Sequence, residues 1–125
     1  MGSALKALYT FLLAVVLLAA ACTTMTERSH QSVLMKASGG GTQTTATFTA
    51  SRPWSIAWAF DCGAGSGGSF FVDIYNASDR TPDFKNQGIA AEGEQQAADT
   101  SHFASPGTFY LQITTTCSWR LTAYE

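Results

Sequence analysis

The stretch that decides the fold reads Trp54-Ser-Ile-Ala-Trp-Ala-Phe-Asp-Cys62. Its large apolar side chains occupy every second position, and the positions between them carry Ser, Ala or Asp. Successive side chains of a β-strand point to opposite faces, so this alternation predicts a strand with one buried and one exposed face. Pro53 interrupts the chain directly before it.

The same alternation recurs through residues 42–125. Alternating segments lie at residues 45–50, 70–75, 98–104 and 107–124. The last segment is too long for one ordinary strand, so we place a hairpin turn near residues 115–118. Six to eight short strands separated by Gly and Pro turns predict an all-β, antiparallel β-sandwich of the jelly-roll or Ig-like type.

Composition narrows the function classes. The chain has 125 residues, seven Lys or Arg, nine Asp or Glu and a formal net charge of −2. One domain is expected at this length. Charge this sparse and balanced does not supply the basic face that nucleic-acid binding requires. The apolar content of 46% is that of a folded chain. We therefore predict a small globular domain without a nucleic-acid partner.

The amino terminus holds most of the aliphatic residues. Lys6 precedes an apolar run over residues 7–21, which would make about 22 Å of helix and so falls short of the ~30 Å core of a bilayer. A positive residue, a short apolar run and small residues at its end are the parts of a secretory signal, with a retained membrane helix as the alternative. The end of this run, Leu18-Ala-Ala-Ala-Cys22, resembles a bacterial lipobox, where the chain is cut before a cysteine that is then lipidated.

The lipobox-like end, the Gly/Ser-rich segment after it and the strand pattern together predict three regions. Residues 1–21 are predicted to be a lipoprotein signal peptide, residues 22–41 a flexible tether rich in Gly and Ser at its end, and residues 42–125 the β-sandwich domain. Acyl chains on Cys22 would hold the exported protein on a membrane at the cell envelope. Cleavage after Ala19-x-Ala21 by an ordinary signal peptidase would instead release a soluble protein.

Three cysteines in an exported chain require an explanation. With Cys22 assigned to the lipid, Cys62 and Cys117 remain, each in phase with the inward residues of its strand. Disulfides persist where exported proteins reside, so we predict a Cys62–Cys117 bridge. Two buried free thiols are the alternative, and no Cys-x-x-Cys redox motif is present.

An ordered set of motifs extends over roughly residues 40–124. It comprises Trp54-x-Ile-x-Trp58, Cys62, a Gly-rich loop, Gly107-x-Phe-Tyr-Leu111 and Cys117-x-Trp119. In this order the motifs resemble a group of small bacterial lipoproteins of unassigned function. The resemblance implies a β-sandwich with one disulfide behind a lipidated tether, and it carries no catalytic residues.

Motifs for catalysis are weak. A Gly-x-Gly-x-x-Gly string at residues 63–68 matches a dinucleotide-binding fingerprint, but a strand and not a helix is expected after it, so we interpret it as a flexible hairpin loop. His102 could act as a base beside Asp61 or Asp99, although a lone exposed histidine is the commoner outcome. The histidines and cysteines do not supply a zinc ligand set. We expect neither enzymatic activity nor a cofactor.

Two sets of side chains are candidate binding groups. Asp73, Asp79 and Asp83 lie around one predicted strand end and offer oxygen ligands to Ca²⁺, although their spacing fits no EF-hand loop and solvated turn residues are the alternative. Tyr75 and Tyr110 point outward and, on adjacent strands, would form a flat aromatic platform for a sugar ring or a partner's side chain. Simple cross-strand pairing is the alternative for the tyrosines.

These patterns together predict an exported, lipid-anchored envelope protein with a non-catalytic binding or structural role. One alternative is a module that binds carbohydrate or cell wall through outward aromatic side chains. Another is a surface interaction protein of prophage type, whose partner would be an envelope protein. The sequence does not distinguish between these ligands.

Overall fold

A computed structural model describes residues 31–65 and 67–125. The predicted signal peptide, Cys22 and the first part of the predicted tether lie outside the described residues. Within the described residues, no helix is long and apolar enough to cross a bilayer.

The described residues form nine β-strands, compared with the six to eight predicted. They are β1 (Val33–Gly40), β2 (Gln43–Thr44), β3 (Phe48–Ala50), β4 (Trp54–Asp61), β5 (Gly68–Asn76), β6 (Ile89–Glu94), β7 (Gln96–Phe103), β8 (Gly107–Thr115) and β9 (Ser118–Tyr124). The additional strands are β1 and the two-residue β2, which lie where the sequence shows little alternation.

Two antiparallel sheets form a β-sandwich, as the sequence predicts. The first sheet has the order β1-β9-β4-β7 and the second β2-β8-β5-β6, with β3 also pairing with β8. All connections between consecutive strands except β2–β3 and β5–β6 cross from one sheet to the other. Of the two predicted types this is the jelly-roll order, since an Ig-like sandwich pairs more of its consecutive strands within a sheet.

The core lies between the sheets and follows the alternation of the sequence. Its largest fully buried side chains are Ile56, Phe70, Val72, Leu111 and Ile113. Burying such a side chain contributes about 1.5–3 kcal/mol, so a strand shifted by one residue would expose its whole apolar face. The inward faces of β4, β5 and β8 are therefore fixed by their sequences.

Aromatic rings connect the two sheets. Trp54 of β4 stacks on Phe103 of its own sheet and on Phe109 of the opposite sheet, with ring centroids 4.5 and 5.3 Å apart. Phe60, at the other end of β4, stacks on Phe70 of the opposite sheet at 5.1 Å. Stacked aromatic pairs contribute about 0.5–1.5 kcal/mol beyond their buried area, so β4 is held to the second sheet at both ends.

The predicted tether does not extend to residue 41, because its second half belongs to the sheet. β1 pairs with β9 along its whole length, and the Trp119 indole N–H donates to the Gly41 carbonyl at 2.8 Å. An edge strand needs only backbone hydrogen bonds from one neighbour, which Gly and Ser provide as well as other residues. The compact domain therefore begins at Gln31 instead of residue 42.

Two connections expected to be hairpins cross between the sheets instead. The glycine-rich loop leads from β4 in the first sheet to β5 in the second, and residues 116–117 lead from β8 back to β9 in the first. Alternation within a strand determines which side chains face inward, but it does not determine which strand lies beside it. The partners of β4 and β9 therefore could not be predicted from the pattern.

Cys62 and Cys117 form the predicted disulfide, with 4.3 Å between their Cα atoms. Cys62 directly follows β4 and Cys117 lies between β8 and β9, so the bridge joins two connections that cross between the sheets. Gly68 of β5 lies against it, since a Cβ there would be 2.6 Å from Cys62 Sγ and 2.8 Å from Cys117 Sγ. The bridge and this glycine together close one end of the sandwich.

Replacing both Cys62 and Cys117 by Ala should lower the free energy of unfolding by about 4 kcal/mol in the chain-entropy account, because the bridge spans 55 residues. Denaturant unfolding measures the difference. Gly68→Ala should also lose stability, whereas Gly40→Ala, where a Cβ meets nothing within 4 Å, is the matched control. Equal unfolding free energies for wild type and the double variant would contradict the stabilising role of the bridge.

Candidate functional site

Tyr75 of β5 and Tyr110 of β8 lie opposite each other on adjacent strands of the second sheet, as the phase of alternation predicts. Their rings stack with centroids 5.3 Å apart and an interplanar angle of 10°. Near-parallel rings at this centroid distance are offset from each other, so each keeps ring surface and its phenol edge open to a ligand.

Arg80 adds a cation to the tyrosine pair. Its guanidinium carbon lies 5.7 Å from the centroid of the Tyr110 ring, within the range of a cation–π contact. Arg80 has a φ of 62°, in the left-handed region that non-glycine residues rarely adopt, and its N–H donates to the Asn76 carbonyl at 2.9 Å. The tight turn after β5 therefore places this cation beside the aromatic rings.

Phe84 is 92% exposed in the loop between β5 and β6. This loop runs back along β5, since Pro82 bridges to Tyr75 and the Asp83 N–H donates to the Ile74 carbonyl at 2.8 Å. Burying a phenyl ring contributes about 1.5–3 kcal/mol, so this side chain gains from any partner that covers it. In the sequence, the one signal for an exposed Phe84 is that it is the single large apolar residue of the polar segment 79–88.

Asn86 holds this loop against the turn between β7 and β8. Its buried side chain donates from Nδ2 to Asp83 Oδ2 at 2.7 Å and to the Ser105 carbonyl at 3.1 Å, and its Oδ1 accepts from Ser105 N at 3.2 Å. The Trp54 indole N–H donates to the same carbonyl at 2.9 Å. These bonds offset the cost of burying the amide and constrain the position of Phe84, two residues away.

A surface depression of about 460 Å³ opens beside Tyr75. Its lining combines the apolar surfaces of Tyr75, Pro82 and Phe84 with the polar side chains of Asp73 and Gln87. We call the set of Tyr75, Tyr110, Arg80, Pro82 and Phe84 the aromatic patch. Apolar ring surface beside hydrogen-bonding groups suits a ligand that offers both apolar faces and hydroxyl or amide groups.

The three candidate calcium ligands are not brought together. Asp73 is exposed on β5, whereas Asp79 accepts from the Thr81 hydroxyl at 2.7 Å and Asp83 accepts from Lys85 N at 3.1 Å. Among residues 31–65 and 67–125, no group of three His, Cys, Asp or Glu side chains is placed to hold a metal ion. The prediction of a shared calcium site, which was based on closeness in sequence, fails because Asp79 and Asp83 accept hydrogen bonds within their own turns.

A hydrogen bond from the Thr81 hydroxyl, and after it one from the Thr81 backbone, lowers the pKa of Asp79 below its ordinary value. Donors to a carboxylate favour its charged form. Because the folded pKa is depressed, the stability that this group contributes is present above the unfolded Asp value of about 3.9 and is lost as the pH falls through the folded value.

His102 of β7 lies opposite Ser55 of β4, and its Nδ1 shares a hydrogen bond of 2.7 Å with Ser55 Oγ. The partners considered from the sequence lie elsewhere. Asp61 is at the opposite end of β4, and Asp99 occupies the other phase of β7. His102 is exposed and pairs across the strands with Ser55, and neither aspartate that the sequence offered as a partner lies beside it.

The outer face of the first sheet carries a second depression, of about 550 Å³. Ala59 of β4 and Ala98 of β7 lie opposite each other at its floor, and Asp61 and Arg120 also line it. Sequence reasoning missed this site because alanine at outward positions of a strand carries no signal of its own. The depression follows from small side chains meeting across two strands.

Neither models of known protein families nor curated proteins match this chain. What the structure defines is thus an all-β domain of jelly-roll order with one disulfide. The resemblance to small bacterial lipoproteins stays a prediction from the residues that carry it.

Thr81→Val should raise the pKa of Asp79 towards its ordinary value, because it removes the largest cause of the lowering. Carbon NMR titration of the Asp79 carboxyl group measures this change. Thr114→Val replaces an exposed threonine on β8 outside the loop and should leave the Asp79 pKa unchanged. The same Asp79 pKa in wild type and Thr81→Val would show that the hydroxyl hydrogen bond is not made in solution.

Proposed function

We propose that this chain is an exported protein, anchored to a membrane by a lipid on Cys22, whose β-domain binds a component of the cell envelope without catalysing a reaction. The observation that carries the binding role is the aromatic patch, where stacked tyrosines, an arginine and an exposed phenyl ring meet on one constrained loop and strand end. Tyr and Arg are the side chains most enriched at binding hot spots.

The disulfide supports export. Bridges such as Cys62–Cys117 form and persist in oxidising compartments and are rare in the cytosol. The two cysteines of the β-domain are joined to each other, so a lipid on Cys22 does not compete with the bridge. Together with the signal-like residues 1–21, this supports a location on the outer side of a cytoplasmic membrane or elsewhere in the envelope.

The depression beside Tyr75 favours a second candidate, binding to a polysaccharide of the cell wall. Sugar rings have apolar faces that stack on aromatic side chains and hydroxyl groups that donate to carboxylates. Tyr75 and Phe84 offer the aromatic surface, and Asp73 offers the carboxylate. Under the first candidate, which includes a prophage-type interaction protein, the ligand is an envelope protein and not a glycan.

Cys22→Ser should abolish labelling of the protein by a fatty-acid probe and release it from membranes, because no other residue is predicted to receive the lipid. Labelling and membrane fractionation of the full chain measure both effects. The double variant Cys62→Ser/Cys117→Ser should keep the label, since its cysteines belong to the bridge. Persistence of the label in Cys22→Ser would contradict lipid attachment at Cys22.

Replacing Tyr75 and Tyr110 by Ala should weaken binding on the order of 30-fold, the effect of losing a hot spot worth about 2 kcal/mol. In-cell crosslinking of the anchored protein detects a protein partner, and retention on isolated cell wall detects a polysaccharide. Phe71→Ala is the matched control, because Phe71 is another half-buried aromatic residue of β5 outside the patch. Equal losses in the control and the double variant would contradict a specific role for the patch.

A further inference from the structure

We propose that the free edge of β7 binds an extended segment of a partner protein as an added antiparallel strand, with a lysine or arginine of that segment opposite Asp99. Main-chain hydrogen bonds supply the affinity in this mode of recognition, and alternate side chains supply the specificity. The edge belongs to the first sheet, whereas the aromatic patch belongs to the second sheet and the loop after β5. The inference therefore goes beyond the proposed function and does not depend on it.

The outer edge of β7 carries backbone groups that no neighbouring strand uses. β7 ends the first sheet and pairs with β4 alone. Cys62 N donates to the Gln95 carbonyl at 2.7 Å, and because bonding alternates along an antiparallel ladder, the odd-numbered residues of β7 bond to β4. The Thr100 N–H agrees with this alternation, since it donates to Asp99 Oδ1 at 2.8 Å and not to β4. The backbone groups that point away from β4 are those of Gln96, Ala98, Thr100 and His102.

The other edges of the two sheets are short, irregular or charged. β2 and β3 have two and three residues. β6 contains Gly93 with a φ of 79° and a glutamate on each side of it, and β1 has an irregular register near its start and carries Lys36. Such interruptions protect edge strands from pairing. β7 is paired one for one with β4 over eight residues, and Asp99 is its single carboxylate.

Asp99 controls which strands the edge accepts. It lies opposite Trp58, in the phase of β7 that faces the second sheet, yet it is exposed. Inward-pointing charges are one of the devices that keep edge strands unpaired. Its carboxylate occupies the Thr100 N–H, which an added strand requires. A basic residue opposite Asp99 attracts the carboxylate and frees this N–H, whereas a neutral or acidic strand does not.

The charge of Asp99 argues against a second copy of this chain as the occupant. In an antiparallel pair of two β7 strands, the free groups belong to even-numbered residues on both sides, so even-numbered residues lie opposite each other. In the registers that pair most of the strand, Asp99 is then directly opposite or diagonal to Asp99 of the other copy. Like charges in these positions are destabilising and opposite charges are stabilising. The occupant is therefore a different protein segment with a basic residue.

Apolar surface beside the edge indicates what flanks that basic residue. Trp58 is half-buried, although Ile56 and Phe60, its neighbours in the same phase of β4, are 0% and 3% exposed. Ala97 of β7 is also half-buried against the core. Alternate side chains of an added strand face the second sheet, and those next to the basic residue on this face lie opposite Ala97 and Ser101. Apolar side chains at these two positions cover the exposed part of the core.

The test titrates the full chain with a synthetic peptide, Thr-Val-Thr-Lys-Thr-Val-Thr, blocked at both ends. In the proposed register its lysine lies opposite Asp99 and its valines lie opposite Ala97 and Ser101. The matched control peptide has glutamate in place of lysine. Two further forms carry N-methyl groups, either on the third and fifth residues, whose N–H groups face β7, or on the second and sixth residues, whose N–H groups face solvent.

The lysine peptide should slow hydrogen exchange at the Ala98 and Thr100 amides, measured by NMR, and leave the Asp99 and Ser101 amides unchanged, because these already bond to β4. It should bind about tenfold more tightly than the glutamate peptide, because one forms an opposite-charge pair and the other a like-charge pair. Methylation of the third and fifth residues should abolish binding, and methylation of the second and sixth should not.

Asp99→Asn should remove the preference for the lysine peptide. Asp61→Asn is the matched control, since Asp61 is an exposed carboxylate of the neighbouring strand β4, and it should keep the preference. Unfolding curves of both variants confirm that they fold as the wild type does.

Three results would overturn the proposal while leaving the proposed function intact. These are unchanged exchange at Ala98 and Thr100 with the lysine peptide, equal affinities for the lysine and glutamate peptides, and a peptide that perturbs the amides of Tyr75 and Tyr110 instead of those of β7. A wild-type dimer that the lysine peptide dissociates would show that a second copy occupies the edge, contrary to the proposal.

Discussion

The structure depends on the crossing of its chain between two sheets and on the disulfide that fixes two of those crossings. Cys62 and Cys117 lie where β4 leaves the first sheet and where β9 enters it, and Gly68 leaves the space that the sulfur atoms occupy. At the other end, the Ser105 carbonyl accepts hydrogen bonds from Trp54 and Asn86. One end is thus closed covalently and the other by polar contacts around a buried amide.

The difference between the two ends separates the disulfide from the patch proposed to bind a ligand. The disulfide end has little exposed apolar surface, and its glycine-rich loop connects strands of different sheets. The other end carries the β5–β6 loop, whose backbone follows β5 so closely that Pro82 bridges to Tyr75. The proposed binding side chains on this loop fit a common arrangement, in which a rigid scaffold holds a loop that varies without disturbing the core.

The sequence predicts correctly those features of the fold that produce a periodic pattern of side chains. The strand over residues 54–62 and the phases of Tyr75 and Tyr110 follow from alternation alone. Strand partners do not follow from alternation. For this reason the sequence predicts a hairpin near residues 115–118, where the chain crosses between sheets, and a tether where the Gly-rich edge strand β1 lies. Phe84 was missed because its loop has no period, and its exposure follows from loop geometry that the sequence does not show.

The pairing of the first strand with the last has a consequence for how the chain acquires its structure. β9 lies between β1 and β4, and the backbone groups of Ser32 and Glu125 bond to each other in both directions. The first sheet therefore lacks its inner strand β9 until residues 118–124 are available. Non-local pairing of this kind is slow and leaves no early half-domain to fold by itself. In a chain emerging from a ribosome, or threading through a membrane pore, the first sheet closes only after residues 118–124 have passed.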